Sequence, residues 1–206
     1  MYFQRVELAW PGRSMALRRS RVVVVGAGAI GSVLAMRLAR AGVGELVLVD
    51  GDVVEWHNLE RVDCYTEEDV GRLKVEALAR CIRRLRRGEK TRVHAIPSYL
   101  DAGFYERWYP QYEWALRKAE LYILGVDNDV VRREVGLSAY WNKPLLDVSF
   151  GVGVGRVLYF PEPRLGPCRL CFFSKADEEV MYEVMGYNLQ TTCPACNRKF
   201  KVENWR

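Results

Sequence analysis

Two patterns of apolar residues alternate along this chain. Val22-Val23-Val24-Val25 is an unbroken β-branched run, which predicts a strand buried on both faces. It leads directly into Gly26-Ala27-Gly28-Ala29-Ile30-Gly31. Val33, Leu34, Leu38 and Ala41 then recur at helical spacing until Gly42 and Gly44 close the helix. Leu46-Val47-Leu48-Val49 predicts a second buried strand ending at Asp50, which completes a βαβ opening. After a polar stretch from Gly51 to Asp69, Val75, Leu78, Ala79, Ile82 and Leu85 predict a second amphipathic helix.

The alternation continues. Arg92 to Ile96 predicts a third strand, the aromatic-rich Phe104 to Leu116 a helix, and Leu121 to Val126 a fourth strand ending at Asp127. A helix through Arg132, Val135 and Leu137 leads to a fifth strand at Pro144 to Val148, and Val152 to Phe160 suggests one more. Strands alternating with helices predict an α/β fold: a doubly wound, mainly parallel, Rossmann-like sheet with right-handed crossovers. The length of 206 residues suits one domain, divided into an arm (1–20), a core (21–160) and a C-terminal tail (161–206). No internal repeat or low-complexity segment interrupts it.

A hydrophobic content of 50% excludes wholesale disorder. No apolar run approaches the roughly 20 residues that span a bilayer, and Met1-Tyr2-Phe3-Gln4-Arg5 lacks the layout of a secretion signal, so the expectation is a cytoplasmic protein with no membrane partner. The net charge of +5 suits anionic ligands such as nucleotides but is too small to argue for nucleic acid. Arg83, Arg84, Arg86 and Arg87 at the end of the second helix read as a solvated cluster complementing the helix dipole, because no aromatic residues interleave with them.

Glycines at 26, 28 and 31 form G-x-G-x-x-G between a buried strand and a helix. There they permit a tight turn and close backbone approach, and the helix N-terminus favours phosphate. Asp50, at the end of the second strand, is placed to bind a ribose hydroxyl. This much predicts a nucleotide site without separating NAD from ATP. The six cysteines do not read as a disulfide framework. Cys168 and Cys171, with Cys193 and Cys196, make two C-x-x-C pairs, the four thiolates of a closed tetrahedral zinc site with a structural role. Of the single cysteines, Cys81 reads as a packed thiol, and Cys64 as an outside candidate for chemistry in its loop. His57 and His94 have no partner motif and read as structural or surface residues.

Beyond the glycine loop, the chain carries an ordered series of polar motifs. Asp50-Gly51-Asp52 is followed by Asn58-Leu59-Glu60-Arg61, then Gly71-Arg72-Leu73-Lys74, then Asp127-Asn128 with Arg132. With Gly31-Ser32, this series resembles the ThiF/MoeB adenylating family, relatives of the ubiquitin-activating enzymes, over roughly Val22 to Cys196. The resemblance implies that Asp50 binds the ATP ribose. It further implies that Asn58, Arg61 and Lys74 hold the phosphates, with Arg61 and Lys74 stabilising charge as pyrophosphate leaves, and that Asp127 binds Mg²⁺. Asp52 and Asn128 join the nucleotide site by the same matching, and the two C-x-x-C pairs match the family's zinc clasp. Each role makes chemical sense, since adenylation needs cations on the triphosphate and a carboxylate for the metal. The implied function is ATP-dependent activation of the C-terminal carboxylate of a ubiquitin-like or sulfur-carrier protein ending in Gly-Gly, by a homodimeric adenylyltransferase.

The chain departs from the family pattern in three places. Only Phe172 to Thr192 separates the C-x-x-C pairs, and that stretch has no cysteine, so the loop cysteine of thioester or persulfide chemistry is missing. Neither Cys64 nor Cys81 replaces it by position. Leu124 stands where many members have the first acid of D-x-x-D, and Tyr2-Phe3-Gln4-Arg5 matches imperfectly the arm that sends an arginine into a partner subunit. Two alternatives stay open. An NAD-dependent oxidoreductase would use the glycine loop and Asp50, and a non-catalytic binding module would explain the shortened tail.

Overall fold

The computed structural model describes residues 4–85, 91–100, 109–128, 131–132, 143–151 and 154–161. Its centre is one six-stranded sheet of β1 (Arg21–Val25), β2 (Glu45–Val49), β3 (Arg92–Ile96), β4 (Leu121–Leu124), β5 (Leu145–Gly151) and β6 (Val154–Phe160). The spatial order is β3-β2-β1-β4-β5-β6. The first five strands run parallel, and β6 turns back antiparallel to β5. Among the described helices, α1 (Gln4–Ala9) and α2 (Arg13–Arg19) precede the sheet and α3 (Ala29–Ala41) joins β1 to β2. Helix α4 (Lys74–Leu85) lies between β2 and β3 in the chain, and α5 (Tyr109–Arg117) between β3 and β4.

The unbroken apolar runs exist because both faces of the sheet are covered. Val22 and Val24 point into one core with Leu46, Leu48 and Leu78, whereas Val23 and Val25 point into another with Val47, Val49, Tyr122 and Leu124. A strand facing two dry cores has no position for a polar side chain. Helix α4 buries Val75, Leu78, Ala79 and Ile82 against the first core and leaves Arg83 and Arg84 in solvent. Helix α3 lies close to the sheet through Ala35 and Ala39, and ends at Gly42 with φ 102°, where a side chain would be strained.

Two features go beyond the sequence pattern. The arm, to which no periodicity assigns an element, holds α1 and α2. The Glu7 carboxylate accepts from the amides of Gly12 (2.7 Å) and Ser14 (3.0 Å) between them, and Leu17 carbonyl accepts from Gly44 N to dock α2 on the βαβ unit. The cysteine reading is corrected as well. Cys64 and Cys81 are neither a packed thiol nor a loop thiol free for chemistry but a disulfide, with Cα atoms 5.8 Å apart. The segment after Arg61 folds back onto α4 and brings them together, a contact that a sequence separation of 17 conceals. The four C-x-x-C cysteines, and Val135 and Leu137 of the expected helix, lie outside the described residues.

In this strand order the chain leaves β1 in one direction for β2 and β3, and later in the other for β4, β5 and β6. Such a reversal opens a crevice beyond the carboxyl ends of the central strands, the ligand position of open α/β sheets.

Candidate active site at the strand-order reversal

A cleft of about 670 Å³ occupies that crevice. Its floor is the end of β1 and the first turn of α3. Gly26 has φ 94°, and its amide donates to Val49 carbonyl at 2.8 Å, linking the glycine loop to β2. Gly28 is the N-cap of α3 and offers no side-chain cap, so the first-turn amides face the cleft unscreened by a side chain. Gly31 does not line the cleft. It stands directly behind, where a Cβ would lie 1.8 Å from Gly26 carbonyl oxygen, and Gly125 at the end of β4 closes on both.

Asp50 and Asp52 leave β2 with different partners. Asp50 Oδ2 accepts from Ala27 N (2.6 Å) and Oδ1 from Asp52 N (2.8 Å), so this carboxylate shapes the loop that it borders. Burial pushes its pKa up, against the two amides and the charge of Lys74. Burial also works to raise Asp52, but Lys74 and the Tyr99 hydroxyl outweigh it and hold the carboxyl below its ordinary range. Lys74 opens α4 with its Nζ 2.7 Å from Asp52 Oδ2.

Asn58 is buried at the end of a short 3₁₀ turn (Trp56–Asn58), where its Oδ1 accepts from Glu55 N at 3.0 Å. Arg61 follows on the rim with its side chain about half exposed, 3.7 Å from Glu60. It is the less restrained of the cleft's two expected phosphate cations, because Lys74 is 13% exposed and held by Asp52. Asp127 and Asn128 enter from beyond β4, and Asn128 Oδ1 accepts from Val131 N at 3.3 Å. Gly26, Gly28, Asp50, Asp52, Asn58, Arg61, Lys74, Asp127 and Asn128 therefore share one cleft.

The sequence reading passed over several residues of this site. Tyr65 hydroxyl donates to Ala27 carbonyl at 2.6 Å, with Lys74 carbonyl 3.3 Å away, and so ties the glycine loop to the start of α4. Burial raises its pKa far above the ordinary phenol range, which keeps it a neutral donor. Tyr99, after β3, donates to Asp52 Oδ1 at 2.5 Å. Arg132 Nε donates to Val126 carbonyl at 2.9 Å and lies 3.8 Å from Asp147 Oδ1, both side chains almost wholly buried. Asp147 pairs in register with Leu124, so a carboxylate sits one strand away from the D-x-x-D position that lacks one. Arg132 belongs to the motif with Asp127 and Asn128 quoted from the sequence, whereas Tyr65, Tyr99 and Asp147 have no local motif that would have revealed them.

His57 and His94 stand apart from the cleft lining. His57 Nδ1 is 3.2 Å from Glu55 at the surface, and His94 packs edge-on to Trp114 near the opposite end of the sheet. Arg5 falls within α1, but its side chain is outside the described residues. No cluster of three or more His, Cys, Asp or Glu that could hold a metal occurs among the described residues. Asp127 offers the cleft a carboxylate, and Mg²⁺ is commonly held by one or two carboxylates together with substrate phosphates. The residues thus fit a metal arriving with a nucleotide. No described helix is long and apolar enough to cross a membrane.

The model of the ThiF family matches residues 6–197. The sulfur carrier protein ThiS adenylyltransferase of Bacillus subtilis (strain 168) is 46% identical over 76 residues, covering 37% of this chain and 22% of that protein. The SAMP-activating enzyme E1 of Haloferax volcanii is 44% identical over 95 residues, 41% of this chain and 35% of the relative. The adenylyltransferase and sulfurtransferase uba4 of Aspergillus terreus is 31% identical over 179 residues, 82% of this chain and 34% of the relative. The chain thus spans between about a fifth and about a third of the length of these relatives. Among solved structures, E. coli MccB with ATP superposes with a TM-score of 0.68 at 21% identity, over 95% of this chain and 59% of that one, a likeness of fold.

Proposed function

The chain belongs to the ThiF family, and on that premise we propose that it adenylates the C-terminal carboxylate of a ubiquitin-like or sulfur-carrier protein ending in Gly-Gly, using ATP. One observation carries the reading. Five separated segments, contributing Gly26 and Gly28, Asp50 and Asp52, Asn58 and Arg61, Lys74, and Asp127 and Asn128, converge on one cleft at a helix N-terminus. A nicotinamide oxidoreductase would leave Arg61 and Lys74 without a task there, and the three relatives described above are named for adenylyl transfer or activation.

Asp50 holds the ribose hydroxyls, while the amides of α3, with Asn58, Arg61 and Lys74, hold the phosphates. A carboxylate oxygen of the carrier tail attacks the α-phosphorus in line. The bond from that phosphorus to the bridging oxygen breaks, its electron pair leaves with pyrophosphate, and an acyl-adenylate remains. Lys74 and Arg61 act most strongly on the departing charge, a contribution realised in the transition state. Asp127 would hold Mg²⁺, which when bound neutralises phosphate charge. With no cysteine between the C-x-x-C pairs, the chemistry ends at the adenylate and sulfur delivery falls to another protein. We further place the reaction in the cytoplasm, in a homodimer, with zinc on Cys168, Cys171, Cys193 and Cys196.

Calorimetry with MgATP and with NADH, followed by pyrophosphate exchange in the presence of carriers ending in Gly-Gly, tests the reading. Wild-type protein is expected to bind MgATP and not NADH. Asp127→Ala is expected to lose Mg²⁺-dependent turnover while remaining folded. Binding of NADH alone, or undiminished exchange by Asp127→Ala, overturns the assignment.

A further inference from the structure

We propose that Tyr99 is a positioning residue of the nucleotide site, which shares the charge of Asp52 and thereby leaves Lys74 available to the triphosphate. The proposal rests on the adenylating reading of the cleft and adds a residue that no motif of that reading contains.

The geometry is a relay of three groups. Tyr99 lies three residues beyond the end of β3 and lines the cleft. Its ring lies face-on to the Gly51 backbone, where a Cβ would be 2.8 to 2.9 Å from three adjacent ring atoms, so the ring's position depends on the absence of a side chain at Gly51. From there its hydroxyl donates to Asp52 Oδ1 at 2.5 Å, while Lys74 Nζ meets Oδ2 of the same carboxylate at 2.7 Å. The Asp52 amide is anchored on Asp50 Oδ1 at 2.8 Å, so Asp52 has little freedom to follow Lys74 if the lysine moves.

A phenol and an ammonium on one carboxylate compete for the same negative charge. Density drawn toward the Tyr99 hydroxyl is withdrawn from Lys74, and the ion pair that must loosen when phosphates arrive is correspondingly weaker. The bond to Asp52 also pushes the Tyr99 pKa up to about 12, which keeps the hydroxyl a donor throughout the working pH range. Removing the hydroxyl concentrates the charge of Asp52 on Lys74. The cost appears where Lys74 has a ligand to reach, that is, with a triphosphate and not with a monophosphate.

The test is calorimetric binding of MgATP and of AMP to wild type, Tyr99→Phe, Lys74→Ala and the double variant, with melting temperatures to establish folding. The phenylalanine keeps the ring on Gly51. Tyr99→Phe is expected to weaken MgATP about fivefold, the scale of a modest change in one charge-assisted contact, and to leave AMP affinity unchanged. In the Lys74→Ala background the same substitution is expected to have no further effect, because the two residues act through one carboxylate. Equal weakening of MgATP and AMP overturns the proposal in favour of a contact with the nucleoside. An unchanged MgATP affinity in Tyr99→Phe, or an additive effect with Lys74→Ala, overturns it too. A wild type that binds neither nucleotide overturns the adenylating reading, and the proposal with it. A normal wild type beside an indifferent Tyr99→Phe removes the proposal alone.

Discussion

Opening the Cys64–Cys81 disulfide should cost more stability than any single contact in the phosphate side of the cleft. The bond closes a loop with a sequence separation of 17. In the chain-entropy treatment, a loop of that size removes about 10 cal/mol/K from the unfolded ensemble, equivalent to about 3 kcal/mol at 25 °C. For a chain of this length each kcal/mol is worth about 2–4 °C, so a fall of about 6–12 °C in melting temperature is expected. Scanning calorimetry of three samples isolates the cause: oxidised wild type, wild type reduced with dithiothreitol, and the double variant Cys64→Ala/Cys81→Ala. Reduction cuts the link without changing side-chain volume, whereas the variant also trims a residue that is only 6% exposed. Alkylation of the unreduced, denatured protein in chelator should label four of the six cysteines, and all of them after reduction. Six labelled cysteines without reductant would refute the pairing. A bond present chemically, with a melting temperature indifferent to its reduction, would refute the entropic reasoning.

Two further outcomes are expected. The His94 imidazole is held below its ordinary pKa by burial first, and then by Arg21 and Arg92 against the opposing pull of Glu45, and its Nε2 has no hydrogen-bond partner among the described residues. The fold therefore favours the neutral ring. Its contribution is complete above the unfolded value of about 6.5 and is lost as pH falls from there through the lower folded value. Urea midpoints of wild type should accordingly drop more steeply below about pH 6.5 than those of His94→Gln, and parallel curves would reject the account. Elemental analysis should find zinc bound by Cys168, Cys171, Cys193 and Cys196, with chelation lowering the melting temperature; a metal-free protein would reject the clasp.

How much of this could be read in the sequence depended on whether the physics was local. Val22–Val25 and Leu46–Val49 announce themselves because a doubly buried strand must be continuously apolar, and α4 because one face alone is buried. The antiparallel return of β6 had no such signature, since the direction of a strand is decided by its neighbour, Val148 opposite Val157, and not by its own residues. Helices α1 and α2 are six and seven residues long, too short for a period to stand out. At the site, the glycine loop and Asp50 followed from chemistry, but Asn58, Arg61, Lys74 and Asp127 were found through a family resemblance. Tyr65, Tyr99 and the Cys64–Cys81 bond were missed because each acts on a residue distant in sequence.

The close backbone meeting of Gly26, Gly31 and Gly125 has a consequence for motion. The ends of β1 and β4 and the first turn of α3 meet there largely backbone to backbone; a Cβ on Gly26 would be 2.9 Å from Gly125 carbonyl and from Val126 Cγ1, and one on Gly125 2.9 Å from Gly31 N. Walls joined so closely have little room to shift against one another. Adjustment to a ligand is left to the opposite side: the rim that carries Arg61, tethered at Cys64, and the turn that carries Tyr99. The grip on a triphosphate would thus be shared between the fixed amides of α3 and the adjustable rim that carries Arg61.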